Sequence, residues 1–394
     1  MKRPVAKLQL LVFCLLLFSG SFLTFTGKAP HTILNGVTIP AAIEIPTDKS
    51  DLMAAVGNGT LFQQAEKVYN ERFYYRPFST KVDKTIRLLS NRPPNTDTIL
   101  GKNHNLLGYE WIYEYLWQEV DYETINQKAS DLQFIKSELE KRGKEIIVLI
   151  TPNKAAFMPE DIPDYYYDAI PSGKTGKRNC DALKEVLEEY GIPCFDCANY
   201  MKESAPPEIV QFNRSGIHYT DAIGLFCARE LFRTVEQTTG LVMPKFDLEV
   251  SESEEVPYPN NDAYDLQNTF HCLTDFLYAD TSHQVATIQN LVPSYVRIMY
   301  DGGSFLGPYQ RIYALDPQTG TVQNAFSSFS MITNTAFYKP DGSLMWLNAI
   351  TDVNPAEILD SSDLFVFEVN EAHVVSMGFG FIEHMANYLR SIEQ

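Results

Sequence analysis

The sequence predicts an α/β fold built on a mostly parallel sheet, and three observations carry that prediction. Apolar runs of strand length occur at Glu145 to Pro152, Tyr295 to Tyr300 and Asp363 to Glu371. Amphipathic helical segments stand between or beside them, the alternation that a parallel sheet with helical crossovers requires. Polar groups follow directly on the apolar runs, as they do where strands end at a ligand-binding edge. The 394 residues are 45% apolar and 12% aromatic, ample for a large core.

The elements follow in order. Lys2, Arg3 and Lys7 precede a largely apolar stretch from Leu8 to Thr26, which makes residues 1–27 a signal peptide or a signal anchor. Ser19-Gly20-Ser21 offers a small-residue cleavage site. The continuation Phe22-Leu23-Thr24-Phe25 lengthens the segment towards the roughly 20 residues of a spanning helix, and the reading favours an uncleaved anchor. Either way the rest of the chain faces the outside of a membrane, or is secreted or periplasmic after cleavage. Phe13 before Cys14 argues against lipidation.

Residues 28–60, with Pro40 and Pro46 and no clear periodicity, read as a stalk, and 61–394 as one large domain. Leu61 to Leu88 is helical with an interruption at Pro77. Thr98 to Tyr109 reads as a hairpin, Ile125 to Lys141 as a helix, and Glu145 to Pro152 as a buried strand. A helix at Arg178 to Tyr190, a strand at Ile192 to Phe195 and a helix at Thr220 to Thr239 continue the alternation. Between 245 and 262 the chain turns acidic beside Pro257 and Pro259, a surface crossing. The strand Tyr295 to Tyr300, a helix start or loop at Phe305 to Tyr313, the strand Asp363 to Glu371 and a helix from Phe379 to Ile392 complete the chain.

A formal charge of −18 and a pI near 4.8 exclude nucleic acid as a partner, because phosphate recognition needs a basic surface. Cys194-Phe195-Asp196-Cys197 has half-site spacing, but no second Cys-x-x-Cys or Cys/His pair completes it, so no metal or other cofactor is expected.

The chemistry concentrates at three strand ends. Tyr300-Asp301-Gly302-Gly303-Ser304 is a strand followed by a Gly-Gly turn, which projects the Ser304 hydroxyl from the sheet edge as a nucleophile. Serine needs a base, and His218, just ahead of a helix, supplies one. Asn153 and Lys154 follow one strand; Glu368, Asn370 and Glu371 close another. Parallel strands present these ends on one edge, so the groups line one cleft as hydrogen-bond donors and acids. The acid that orients His218 is Asp221, Glu368, Glu371 or Asp301; the sequence does not choose among them.

The order of five motifs resembles the exported SGNH-hydrolase-like family that includes the alginate acetylation proteins AlgX and AlgJ. The motifs are Gly101-Lys102-Asn103-His104-Asn105-Leu106-Leu107, Pro152-Asn153-Lys154, Gly216-Ile217-His218-Tyr219, Gly302-Gly303-Ser304-Phe305 and Glu368-Val369-Asn370-Glu371. The resemblance runs from about Leu61 to the C-terminus. It implies a flavodoxin-like three-layer α/β/α fold with a circularly permuted motif order, since the histidine precedes the serine. It further implies transfer of an acetyl group from Ser304 to a polysaccharide hydroxyl, with His218 as base and a multi-pass membrane O-acyltransferase as acetyl donor. The oxyanion would sit on the Ser304 N–H, with Phe305 N–H or Asn153, and Tyr219 offers an aromatic face to a sugar. The sequence departs from the family pattern twice: Gly216 stands where an Asp is usual two residues before the histidine, and Gly303 where an Asp is usual before the serine. A carbohydrate esterase using the same residues, and a catalytically silent polysaccharide-binding or scaffold protein, are the alternatives.

Overall fold

The computed structural model describes residues 2–26, 45–90, 97–170, 176–253, 265–273, 283–292, 294–313, 329–339 and 343–393. The chain divides into two compact units, one comprising Met1–Thr98 with Gln267–Leu277, the other Ile99–Leu266 with Tyr278–Gln394.

The first unit is helical, with helices Lys2–Phe25, Lys49–Gly57, Thr60–Arg72 and Arg76–Leu89. Part of the expected stalk is therefore helix; its segment 27–44 lies outside the described residues. Asp48 starts the helix Lys49–Gly57 by accepting from the Ser50 and Asp51 N–H groups. Pro77 stands at the start of Arg76–Leu89, where a missing N–H costs nothing, and so begins a helix rather than interrupting one. Within this unit Gly20 lies against the rings of Phe73 and Tyr75, Ser21 Oγ is 2.6 Å from Tyr69 Oη, and Tyr74 N–H donates to Thr24 Oγ1 at 3.0 Å.

The second unit contains a seven-stranded mixed sheet. Its strands are β3 (Glu145–Thr151), β4 (Cys194–Asp196), β7 (Ile298–Asp301), β8 (Phe329–Ile332), β9 (Ala336–Tyr338), β10 (Leu344–Trp346) and β11 (Leu364–Asn370), in the order β10-β9-β8-β7-β11-β3-β4. From β8 to β4 every neighbouring pair is parallel; β9 and β10 are antiparallel. Two short pairs stand apart: β1 (Thr98–Leu100) with β2 (Leu106–Gly108), and β5 (Lys245–Ser253) antiparallel to β6 (His283–Val292).

Helices cover both faces, giving three layers. Alternate residues Ile147, Leu149, Tyr300 and Val366 pack with the helix Asp221–Thr239 on one side. Ile146, Val148, Ile150, Phe365 and Phe367 pack with Tyr122–Glu140, Asn179–Glu189 and Phe381–Ile392 on the other. This matches the predicted α/β class. Two expectations change. Residues 245–253 of the acidic crossing form strand β5, because acidic Asp247 and Glu249 face solvent while Phe246 and Leu248 alternate inward; 254–262 lies outside the described residues. The last helix begins at Phe381 rather than Phe379, since Gly378, Phe379 and Gly380 are all left-handed and cannot continue a right-handed helix.

Candidate active site

The serine turn forms where β7 ends. Gly302 N–H donates to Ile332 O of β8 at 3.0 Å, and Gly303 N–H donates to Glu368 Oε2 of β11 at 2.7 Å, so the turn is tied to both flanking strands. An ideal Cβ on Gly302 would come within 2.6 Å of Glu368 atoms, which is why a glycine stands there. The chain then enters the short 3₁₀ turn Ser304–Leu306 with Ser304 exposed.

His218 arrives on a loop between Phe212 and Tyr219, which bridge each other. Buried Lys154 holds that loop: its Nζ donates to Asn213 O at 2.6 Å, Gly216 O at 2.7 Å and Arg214 O at 3.2 Å. Beyond the loop, Thr220 caps the helix Asp221–Thr239, and the Tyr219 hydroxyl donates to Phe305 O. The His218 ring packs on Phe305 with centroids 4.6 Å apart. This brings His218 Nε2 to 2.6 Å from Ser304 Oγ, within range for a base and its nucleophile.

The other ring nitrogen faces a residue that the sequence reading missed. His218 Nδ1 lies 3.1 Å from Asp265 Oδ2, an ionic approach rather than one in line with the N–H bond. Asp265 heads the helix Asp265–Phe270 and is fixed by accepting from Ile217 N–H at 2.9 Å and from its neighbour Leu266 N–H at 2.7 Å through Oδ1. The carboxylate thus comes from 47 residues beyond the histidine, whereas the family pattern places it two before. In the sequence it reads as an ordinary first-turn acid after an acidic stretch; nothing in its spacing distinguishes it.

The four acids considered earlier lie elsewhere. Asp221 pairs with Arg311 across the base of its helix. Glu371 accepts from Asn153 N–H at 2.9 Å and approaches Arg178, in a buried network with Glu114. Asp301 is fully buried beneath the serine turn, and both of its carboxylate oxygens lack a hydrogen-bond partner among the described residues. Burial pushes its carboxyl well above the usual range, with the nearby Glu368 charge adding to the rise. Glu368 comes nearest to the proposed role, because it lines the cleft and its charge interacts with that of His218, but it is spent on Gly303 N–H and the Thr151 hydroxyl. Burial raises its pKa too, against the opposing pull of those two donors and of His218.

Three residues expected to touch substrate are structural instead. Asn153 Nδ2 donates to Trp111 O and Glu114, its Oδ1 caps the short helix Lys154–Phe157, and the residue is fully buried. Lys154 serves the His218 loop. Tyr219 is 1% exposed, packed edge-on to Phe305, and offers no face to a sugar. Gly303 and Asn370 do line the cleft, yet Gly303 N–H is engaged with Glu368, and Asn370 donates to Pro152 O and caps Ala372. The cleft has a volume of about 520 Å³ and is lined by Ser304 together with Glu110, Trp111, Asn334, His373 and Phe379. It falls in the size range of small-ligand sites.

Residues 110–287 match the model of the ALGX family, described as SGNH hydrolase-like domain, acetyltransferase AlgX. The chain resembles AlgX in this domain. The matched AlgX segment includes both His218 and Asp265; Ser304 lies beyond its end. Among curated proteins no sequence matches significantly. Among solved structures, the O-acetyltransferase domain of Pseudomonas putida AlgJ aligns at 15% identity with a TM-score of 0.48, over 74% of this chain and 99% of that one. Bacillus cereus PatB1 aligns at 8% identity and TM-score 0.43 over 70% and 96%. Pseudomonas aeruginosa AlgX aligns at 12% and 0.43 over 71% and 67%.

Proposed function

We propose that this protein is an SGNH-type O-acetyltransferase that modifies a cell-surface or secreted polysaccharide through an acetyl-serine intermediate on Ser304. The observation that carries the reading is the succession Ser304 Oγ, His218 Nε2, His218 Nδ1, Asp265 Oδ2, with approaches of 2.6 and 3.1 Å. It has the base-orienter logic of an activated serine.

In the first half-reaction His218 Nε2 takes the Ser304 proton as Oγ bonds to the acetyl carbonyl carbon. The bond from that carbon to the carrier breaks, and the carrier leaves with the proton from His218. In the second, a sugar hydroxyl attacks the acetyl-serine, gives its proton to His218, and the proton returns to Ser304 Oγ. Asp265 steadies the imidazolium in both halves. The oxyanion falls to the N–H groups at the start of the Ser304–Leu306 turn, since Gly303 N–H is already engaged.

The departure at Gly216 counts for a silent binder, and the Asp265 carboxylate beside His218 supports the active reading against it. Exposed Ser304 favours an esterase as second reading, because water reaches an open acyl-enzyme. Residues 7–24 of the N-terminal helix have a mean hydropathy of 1.8 and are long and apolar enough to cross a membrane. That supports an extracytoplasmic site at the membrane surface, supplied with acetyl groups by a multi-pass membrane acyltransferase.

The test is to incubate the full chain in detergent with a chromogenic acetyl ester, beside Ser304→Ala and His218→Ala, following acetate release and protein mass. Turnover or an acetyl adduct in the wild type, lost in both variants, is expected. Unchanged turnover in Ser304→Ala would overturn the assignment. Adding an oligosaccharide acceptor separates the readings: an acetyltransferase moves the acetyl group to sugar, an esterase to water.

A further inference from the structure

One wall of the cleft is built from residues that the acyl-transfer steps leave unused. Gly378, Phe379 and Gly380 have φ values of 73, 45 and 91°. A phenylalanine in the left-handed region is an outlier that persists only where its surroundings impose it. They do so here. Buried Lys128 Nζ donates to Met377 O at 2.8 Å and is itself held by Glu383 at 2.8 Å. A Cβ on Gly378 would meet Ile382 at 2.6 Å and Asp301 at 3.1 Å. The loop is therefore fixed, and it holds the half-buried Phe379 at the cleft. His373, half-buried and edge-on to Trp111 with centroids 6.0 Å apart, also lines the cleft.

The charge at this wall has one sign. The two carboxylates that line the cleft are Glu110, which is exposed, and Glu368. Among the described lining residues there is no Lys or Arg. The sequence has none between Lys245 and Arg297, and only Lys339 between Arg311 and Arg390.

We infer that the cleft holds an acceptor subsite in which Phe379, with His373 beside the cleft, stacks on a pyranose ring without a carboxylate, while Glu110 repels uronate sugars. An apolar sugar face needs a rigid aromatic partner, and a uniform negative field rejects a polyanion by like-charge repulsion. The acceptor is then a neutral or amino-sugar polymer. This deepens the acetyltransferase reading and rests on it for the sugar's role as acceptor, but binding is measurable without any acyl transfer.

The experiment is calorimetric titration of the full chain in detergent with three oligosaccharides of equal length: N-acetylglucosamine, its de-N-acetylated form, and mannuronate. The first two bind and the third does not. Phe379→Gly, which removes the ring but suits the left-handed backbone, weakens binding roughly tenfold, and Glu110→Lys admits the uronate. Uronate binding as tight as the neutral sugar, no effect of Phe379→Gly, or binding of none of the three would overturn the inference. Wild-type protein that binds the neutral sugars but transfers no acetyl group to them would sink the acetyltransferase reading and leave the subsite standing.

Discussion

Asp265 and Glu368 both act on His218 electrostatically, but in different ways, and their substitutions separate them. Asp265 faces Nδ1 and is positioned by Ile217 N–H, so Asp265→Asn removes the charge that stabilises the imidazolium; turnover falls about 10²- to 10⁴-fold, read as kcat on the acetyl ester. Glu368→Gln keeps an oxygen for Gly303 N–H and turns its amide N–H to the Thr151 hydroxyl, which can accept, and turnover falls less than about tenfold. Equal losses in the two variants would put Glu368 in the orienting role instead. The proposed nucleophile and base were legible as candidates because each sits where the pattern changes: Ser304 after an apolar run and two glycines, His218 before a capped helix. Asp265 was not, because a first-turn aspartate is stabilised by its own helix wherever it occurs, and only the folded chain brings it to the histidine.

At the scale of elements, the site is a property of strand ends and the loops tied to them. Lys154 follows β3 and spends its charge on three carbonyls of the His218 loop. Lys154→Met strips those acceptors of their donor; at about 1–3 kcal/mol for a buried group left unsatisfied, the unfolding free energy in denaturant falls by roughly that amount. Turnover falls with it, since the loop no longer fixes His218. A variant as stable and active as the wild type would show that the loop holds itself. Gly302→Ala drives a methyl into Glu368 and displaces the serine turn, so activity drops while the rest of β7 stays paired. The buried strands β3, β7 and β11 were readable as continuous apolar runs. Strands β8 to β10 are three or four residues long, too short for a period to emerge. In β5 the period of two was present in Phe246-Asp247-Leu248-Glu249-Val250, but the acidic residues on its solvent face masked it.

Across the whole molecule, the burial of Asp301 couples the serine turn to global stability. Burial raises its carboxyl pKa well above the value it has in the unfolded chain. The unfolded chain therefore binds fewer protons, and Asp301's contribution is full below the ordinary carboxyl pKa and is lost as pH rises towards its raised folded value. Asp301→Asn abolishes that titration. Relative to wild type, its unfolding free energy rises with pH above about 4, by at most about 1.4 kcal/mol per pH unit, measured by urea denaturation across pH 4 to 7. A difference that does not vary with pH would mean that Asp301 is ionised in the fold. The N-terminal helix bears on the molecule in another way. Gly20 lies in the small-residue stretch that reads as a cleavage site, yet a Cβ there would meet the Phe73 ring at 2.5 Å, and Ser21 and Thr24 are bonded to Tyr69 and Tyr74. A peptidase must draw its substrate out as an extended strand, and this stretch is helical and clasped. Retention of the leader would hold the proposed acetyltransferase at the membrane on a leash. Encounters with the membrane-borne donor proposed above would then be set by local effective concentration rather than by bulk diffusion, and severing the leash would slow the first half-reaction in vesicles while leaving the soluble-ester assay untouched.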